Sequence, residues 1–91
     1  MEITELIKEE AGILEKVLNY VKNKYGVELS PHTRLTVKRQ NFRIGVKFET
    51  WIKNKYYAVA TFIDNINYKI LLATTINLAE EIINARLSKS N

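Results

Sequence analysis

The stretch RLTVKRQNFRIGVKFETWIKNKYYAVATFI, residues 34–63, decides the fold. Leu35 and Val37 alternate with Arg34, Thr36 and Lys38; Phe42, Ile44, Val46 and Phe48 alternate with Arg43, Gly45, Lys47 and Glu49. A period of two places alternate side chains on opposite faces of an extended chain, so these read as two half-buried strands, about 34–39 and 42–51, joined by a tight turn near Gln40-Asn41. Lys53-Asn54-Lys55 makes a second turn. A third strand, about 55–63, is apolar on both faces, with Tyr57, Val59 and Ile63 on one and Tyr56, Ala58, Ala60 and Phe62 on the other.

Before this sheet the period is different. Ile3, Leu6, Ile7, Leu14, Val17, Leu18, Val21 and Tyr25 recur at three- and four-residue steps, the stripe of an amphipathic helix over about 2–25. Glu2, Glu5, Glu9 and Glu10 crowd its start and Lys22 and Lys24 its end, which suits the helix dipole. Gly26 stands where a left-handed C-cap is wanted, with Val27 folding back on the stripe. Gly12, unfavourable inside a helix, marks a bend or the close approach of another backbone. Ser30-Pro31-His32 is a connector.

After the third strand, Asp64-Asn65 offers a turn; 68–74 is then either a fourth strand or the start of the last helix, and the short apolar run Ile70-Leu71-Leu72 favours the strand. Asn77 then caps a final helix of about 78–88 with Glu80 as its capping-box partner, burying Leu78, Ala79, Ile82, Ile83 and Ala85; Ser88 to Asn91 form a tail. The expected fold is α+β: an N-terminal helix, a three- to four-stranded antiparallel β-meander and a C-terminal helix, one domain over residues 1–91.

Composition bounds the chemistry. The chain has no cysteine, which excludes disulfides and thiolate ligands, and 46% apolar against 26% charged residues is the balance of a folded globule. No segment has the roughly 20 apolar residues that span a bilayer, and the charged N-terminal region is unlike a signal peptide. The expectation is a cytoplasmic protein, or one of an infected host's cytoplasm, without a membrane role. His32, the one histidine, has no carboxylate or cysteine partner in view, and Glu80 and Glu81 point about 100° apart on a helix. No phosphate-binding loop, dinucleotide fingerprint or nucleophile elbow occurs. The expectation is therefore a non-enzymatic protein with no metal, no cofactor and no small-molecule substrate.

Charge points further. Residues 1–33 carry a net −2, residues 34–69 a net +6 and residues 70–91 zero, within a total of +4. With the apolar set turned toward the helices, the other sheet face shows Arg34, Lys38, Arg43 and Lys47. Arg39 lies beside them, Lys53 and Lys55 at the adjacent turn and Lys69 at the fourth strand, with Trp51 and Tyr56 among them. Such cations reach phosphates, arginine also reads guanine, and Trp51 suits stacking on a sugar or base.

The segment 42–87, about half the chain, resembles the sheet-plus-helix DNA-binding domain of plant ethylene-response factors and the arm-binding domains of tyrosine integrases. The resemblance rests on Arg43-Ile44-Gly45-Val46-Lys47, Lys55-Tyr56-Tyr57-Ala58-Val59-Ala60, Leu72-Ala73-Thr74 and Ala79-Glu80-Glu81-Ile82-Ile83-Asn84-Ala85-Arg86. It implies a sheet face that enters the major groove, with Arg43, Lys47, Trp51 and Lys55 at the contacting positions. Ala73 stands where those domains carry glycine. Helix, three strands, helix is also the order of double-stranded-RNA-binding domains, but these need a lysine cluster opening the last helix, and Thr74 to Leu78 contains none.

The competing expectation is a homodimeric interaction domain. Ala58, Ala60, Phe62 and Leu71 would lie in water on a sheet covered by helices on one side, and such a patch usually marks an interface.

Overall fold

A computed structural model describes the backbone of residues 3–89 and the side chains of residues 12–86. The chain runs through α1 (Ile3–Tyr25), β1 (Arg34–Gln40), β2 (Arg43–Ile52), β3 (Lys55–Ile63) and α2 (Tyr68–Lys89). The sheet is an antiparallel meander in the order β1-β2-β3. Both helices pack on one of its faces. Ile13, Val17 and Val21 of α1 and Leu71, Leu78, Ala79, Ile82 and Ile83 of α2 form one buried cluster with Leu35, Ile44, Val46, Phe48 and Ile52. The helical stripe is thus seen from Ile13 to Tyr25, while Ile3, Leu6 and Ile7 lie outside the described side chains.

Local chemistry sets the boundaries. Gly26 caps α1 at φ 67°, and its N–H donates to the Lys22 carbonyl at 2.9 Å. Val27 packs half-buried against the core. Lys53 and Asn54 both have positive φ, 50° and 68°, and form the two-residue turn between Ile52 and its partner Lys55. Two left-handed residues match the twist of paired strands, as in type I′ hairpins. Gly12 continues α1, and a Cβ there would meet nothing within 4 Å, so the expected close approach of another backbone is not found.

Several expectations are corrected. The turn between β1 and β2 is Asn41-Phe42, with Gln40 paired to Arg43. Phe42 therefore stands at a hairpin tip, 94% exposed, instead of facing the core. There is no fourth strand among the described residues: 68–74 is the start of α2. Its N-cap is Asn67, whose Oδ1 accepts from the Ile70 N–H at 2.9 Å, instead of Asn77, which lies exposed mid-helix. Leu71, Thr75, Leu78, Ala79, Ile82 and Ile83 form one continuous helical stripe, so Leu71 is fully buried and belongs to no exposed interface. Ala85, expected in that stripe, is exposed.

Among the described residues no buried polar side-chain atom lacks a hydrogen-bond partner. Thr75 donates its hydroxyl to the Leu71 carbonyl at 2.7 Å, and Thr33 donates to the Ser30 carbonyl at 2.6 Å. Glu80, no longer a capping residue, joins the helices. One of its carboxylate oxygens accepts from the Tyr25 hydroxyl, from Lys24 Nζ at 2.9 Å and from the Tyr20 hydroxyl at 3.3 Å. The bond from Tyr25, then that from Lys24, holds the Glu80 carboxyl below the usual carboxylate range. Bonding to Glu80 first, then to Tyr20, raises the Lys24 ammonium above its ordinary value.

Candidate nucleic-acid interface

Strand parity sorts the candidate residues. The face away from the helices carries Arg34, Thr36, Lys38 and Gln40 from β1. From β2 it carries Arg43, Gly45, Lys47, Glu49 and Trp51, and from β3 Tyr56, Ala58, Ala60 and Phe62. The register aligns these as rows across the sheet: Lys38, Gly45 and Phe62; Thr36, Lys47 and Ala60; Arg34, Glu49 and Ala58; then Trp51 with Tyr56. Arg34, Lys38, Arg43 and Lys47 are all exposed. Lys38 and Lys47 are diagonal neighbours, about 7–8 Å apart at this spacing.

Gly45 shapes the middle of the face. With no side chain it leaves a shallow depression bordered by Lys38, Lys47, Glu49, Ala60 and Phe62. A Cβ at Gly45 would meet the Phe62 ring at 3.5 Å, so the ring lies directly beside the gap. Phe62 is 53% exposed, and Tyr56, six residues along the same strand, is 48% exposed. Between these rings Ala58 and Ala60 form a low floor.

Glu49 is the one acidic side chain in these rows. It accepts the Tyr56 hydroxyl at 2.6 Å and lies 3.9 Å from Lys47. The hydrogen bond to Glu49 holds the phenol proton and, with loss of solvent and the nearby negative charge, raises the Tyr56 phenol above its ordinary value. Tyr56 is thereby fixed against Trp51, ring centroids 5.2 Å apart and tilted by 53°. Trp51 is half-buried on this face, and its carbonyl accepts from the Ser30 N–H at 3.1 Å.

The remaining candidates lie elsewhere. Arg39 pairs with inward-facing Ile44 yet is exposed at the sheet's margin, and Lys53 occupies the second turn. Lys55 has the inward parity of Ile52, and its ammonium sits 5.7 Å from the Tyr57 ring. Lys69 is exposed in the first turn of α2, in the helix layer and away from the basic face. His32 is exposed in the connector, its N–H donating to Ser30 Oγ at 3.0 Å. Sequence reasoning missed Phe42, beside Arg43 at the hairpin tip, and the pairing of Phe62 with Gly45 across the strands. Alternation assigned Phe42 inward, and only the true turn position frees it.

Among the described residues no three His, Asp or Glu side chains come together as a metal site, and no helix is long and apolar enough to cross a membrane. Comparison of the chain with family models, with curated proteins and with solved structures finds no match.

Proposed function

We propose that this protein binds nucleic acid, DNA in the first instance, through the helix-free face of its sheet. One observation carries the reading: both helices pack on the same side, which leaves Arg34, Lys38, Arg43 and Lys47 exposed together on the other. Cations spaced along a flat sheet meet successive phosphates, and each neutralised phosphate releases counterions. The exposed rings of Phe62 and Tyr56, separated by the alanine floor, suit stacking on unpaired bases. Phe62 has no hydrogen-bonding group and the Tyr56 hydroxyl is engaged by Glu49, so the reading is a sequence-tolerant one in which phosphate contacts dominate.

The α2 helix opens at Tyr68 with Lys69 as the single cation of its first two turns. That is a poor match to the lysine cluster of double-stranded-RNA-binding domains and favours the sheet face over the helix layer as the contact surface. The competing reading, two copies meeting face to face over Ala58, Ala60 and Phe62, would bury Lys47 and Lys38 against like charges and is disfavoured for that reason.

The test is DNA binding as a function of salt. Replacing Arg43 and Lys47 with alanine should weaken binding and reduce the slope of log K against log salt by about 2. Absence of measurable affinity for any DNA at low salt overturns the proposal.

A further inference from the structure

The two outer edges of the sheet differ in a way the function above does not use. The β1 edge strand carries Arg34, Lys38 and Arg39 within seven residues. Charges so placed discourage pairing with another chain. The β3 edge has no such guard. From Tyr56 to Ile63 it holds no charged residue, no proline and no bulge, and its pairing with β2 runs unbroken from Ile44↔Ile63 to Ile52↔Lys55. Among the described residues the backbone hydrogen bonds of the loops and caps, Gly26 to Lys22, Ser30 to Trp51, Thr33 to Ser30 and Leu71 to Asn67, do not involve β3. An edge of nine residues rich in β-branched and aromatic side chains is a template for another strand.

We infer that β3 pairs antiparallel with β3 of a second copy of this chain, edge to edge, to give a continuous six-stranded sheet. Charge selects this occupant. A chain of net +4 repels itself on the open face and at β1, and β3 is where two copies meet with no opposed charges. Closure selects it too. A two-fold pairing consumes both unguarded edges and leaves only the cationic β1 strands at the ends, whereas β3 on β1 of a neighbour would continue without limit.

Side-chain fit sets the register. With the two-fold at Ala60, Phe62 lies opposite Ala58 of the second copy, so each large ring faces the low alanine floor of the other. On the inner side Val59 meets Thr61 and Tyr57 meets Ile63, both half-buried pairs next to the core. This arrangement differs from face-to-face association in its result. The open faces stay open and become one surface, with a cationic flank at each end and the two Phe62 rings in the middle. The inference stands independently of nucleic-acid binding.

Sedimentation equilibrium of the full chain tests it, from micromolar to about 1 mM, the weak end of specific association. The expected result is a concentration-dependent species of twice the 10.6 kDa chain mass. Ala60 is exposed, so A60K and A60E should fold, and each sets like charges across the two-fold. Dimerisation of either alone should weaken at least about tenfold, and an equimolar mixture should restore it. Amide exchange at alternate β3 residues should slow with concentration in the wild-type chain. A monomer at every concentration, open-ended assembly, dimers unaffected by A60K and A60E, or a mixture that does not re-form them would each overturn the inference. Sedimentation is run without DNA, so loss of the dimer and loss of binding are read separately.

Discussion

Thr50 and Thr33 share a hydrogen bond of 2.7 Å between their hydroxyl oxygens, and a third atom fixes its direction. Thr33 has a single hydroxyl hydrogen, committed to the Ser30 carbonyl at 2.6 Å, so Thr50 is the donor. The pair ties the connector before β1 to the C-terminal end of β2, where Thr50 is fully buried.

The direction makes the two threonines unequal. Thr33→Val strands the buried Thr50 donor and should cost about 1–3 kcal/mol, the penalty of an unmade buried bond. Thr50→Val leaves Thr33 still bonded to Ser30 and should cost only about 1 kcal/mol. Urea unfolding of both variants decides it; equal or reversed costs would refute the donor assignment.

Asn67 and Asn77 test where the last helix begins. Asn67→Ala removes the Oδ1 cap on the Ile70 N–H and should destabilise by about 1 kcal/mol. Asn77 is exposed inside the helix, so Asn77→Ala should stabilise by up to about 0.7 kcal/mol through helix propensity alone. Thermal unfolding of the two variants should therefore move in opposite directions.

Two phenylalanines of similar sequence setting should behave very differently. Phe48 is fully buried, and Phe48→Ala should cost about 3–5 kcal/mol. Phe42→Ser, at the exposed hairpin tip, should stay within about 0.5 kcal/mol of wild type. A large loss from the Phe42 variant would place that ring in the core and move the turn.

Phe62 separates stacking from charge. Phe62→Ala should weaken binding of single-stranded DNA by about 1–3 kcal/mol, while leaving the salt slope unchanged because no cation is lost. Fluorescence titration at two salt concentrations checks both halves. A change in slope without a change in affinity would remove the ring from the contact.

The Glu80 contacts carry a pH dependence of definite sign. Its carboxyl is held below the usual range by Tyr25 first and then Lys24, so the ionised form is favoured in the folded chain. The stabilisation is complete above the unfolded glutamate value, about 4.3, and is lost as pH falls through the lowered folded value. The stability difference between wild type and Glu80→Gln should be constant near neutrality and shrink in that acidic window. Urea midpoints for both proteins across the range measure it. A difference that grows on acidification would contradict the assigned bonds.

Most of the layout was legible because period is a direct consequence of geometry. The alternation through Leu35, Val37, Ile44, Val46 and Phe48 gave the correct inner face, and Gly26 marked the end of α1. Misreadings arose where a local pattern fitted two structures. Ile70-Leu71-Leu72, followed after Ala73 by two threonines and an isoleucine, has strand propensity, yet Asn67 three residues earlier caps a helix and Leu71, Thr75 and Leu78 share one side of it. Glu80 looked like a capping partner of Asn77 by spacing; its real partners lie 55 and more positions away, beyond the reach of any local rule. On the candidate face, the cations were visible from parity, whereas the depression at Gly45 required knowing that Phe62 stands opposite it.

That separation along the chain has a kinetic consequence. The three strands reverse through two-residue turns, so the sheet assembles from contacts that close short loops. The Tyr25 and Lys24 bonds to Glu80 instead join opposite ends of the chain, and their loop-closure entropy is met only after the meander holds both helices near each other. Such late contacts are largely unformed in the transition state. Loss of Glu80 is thus expected to act on the lifetime of the native state, quickening its opening while refolding keeps its pace.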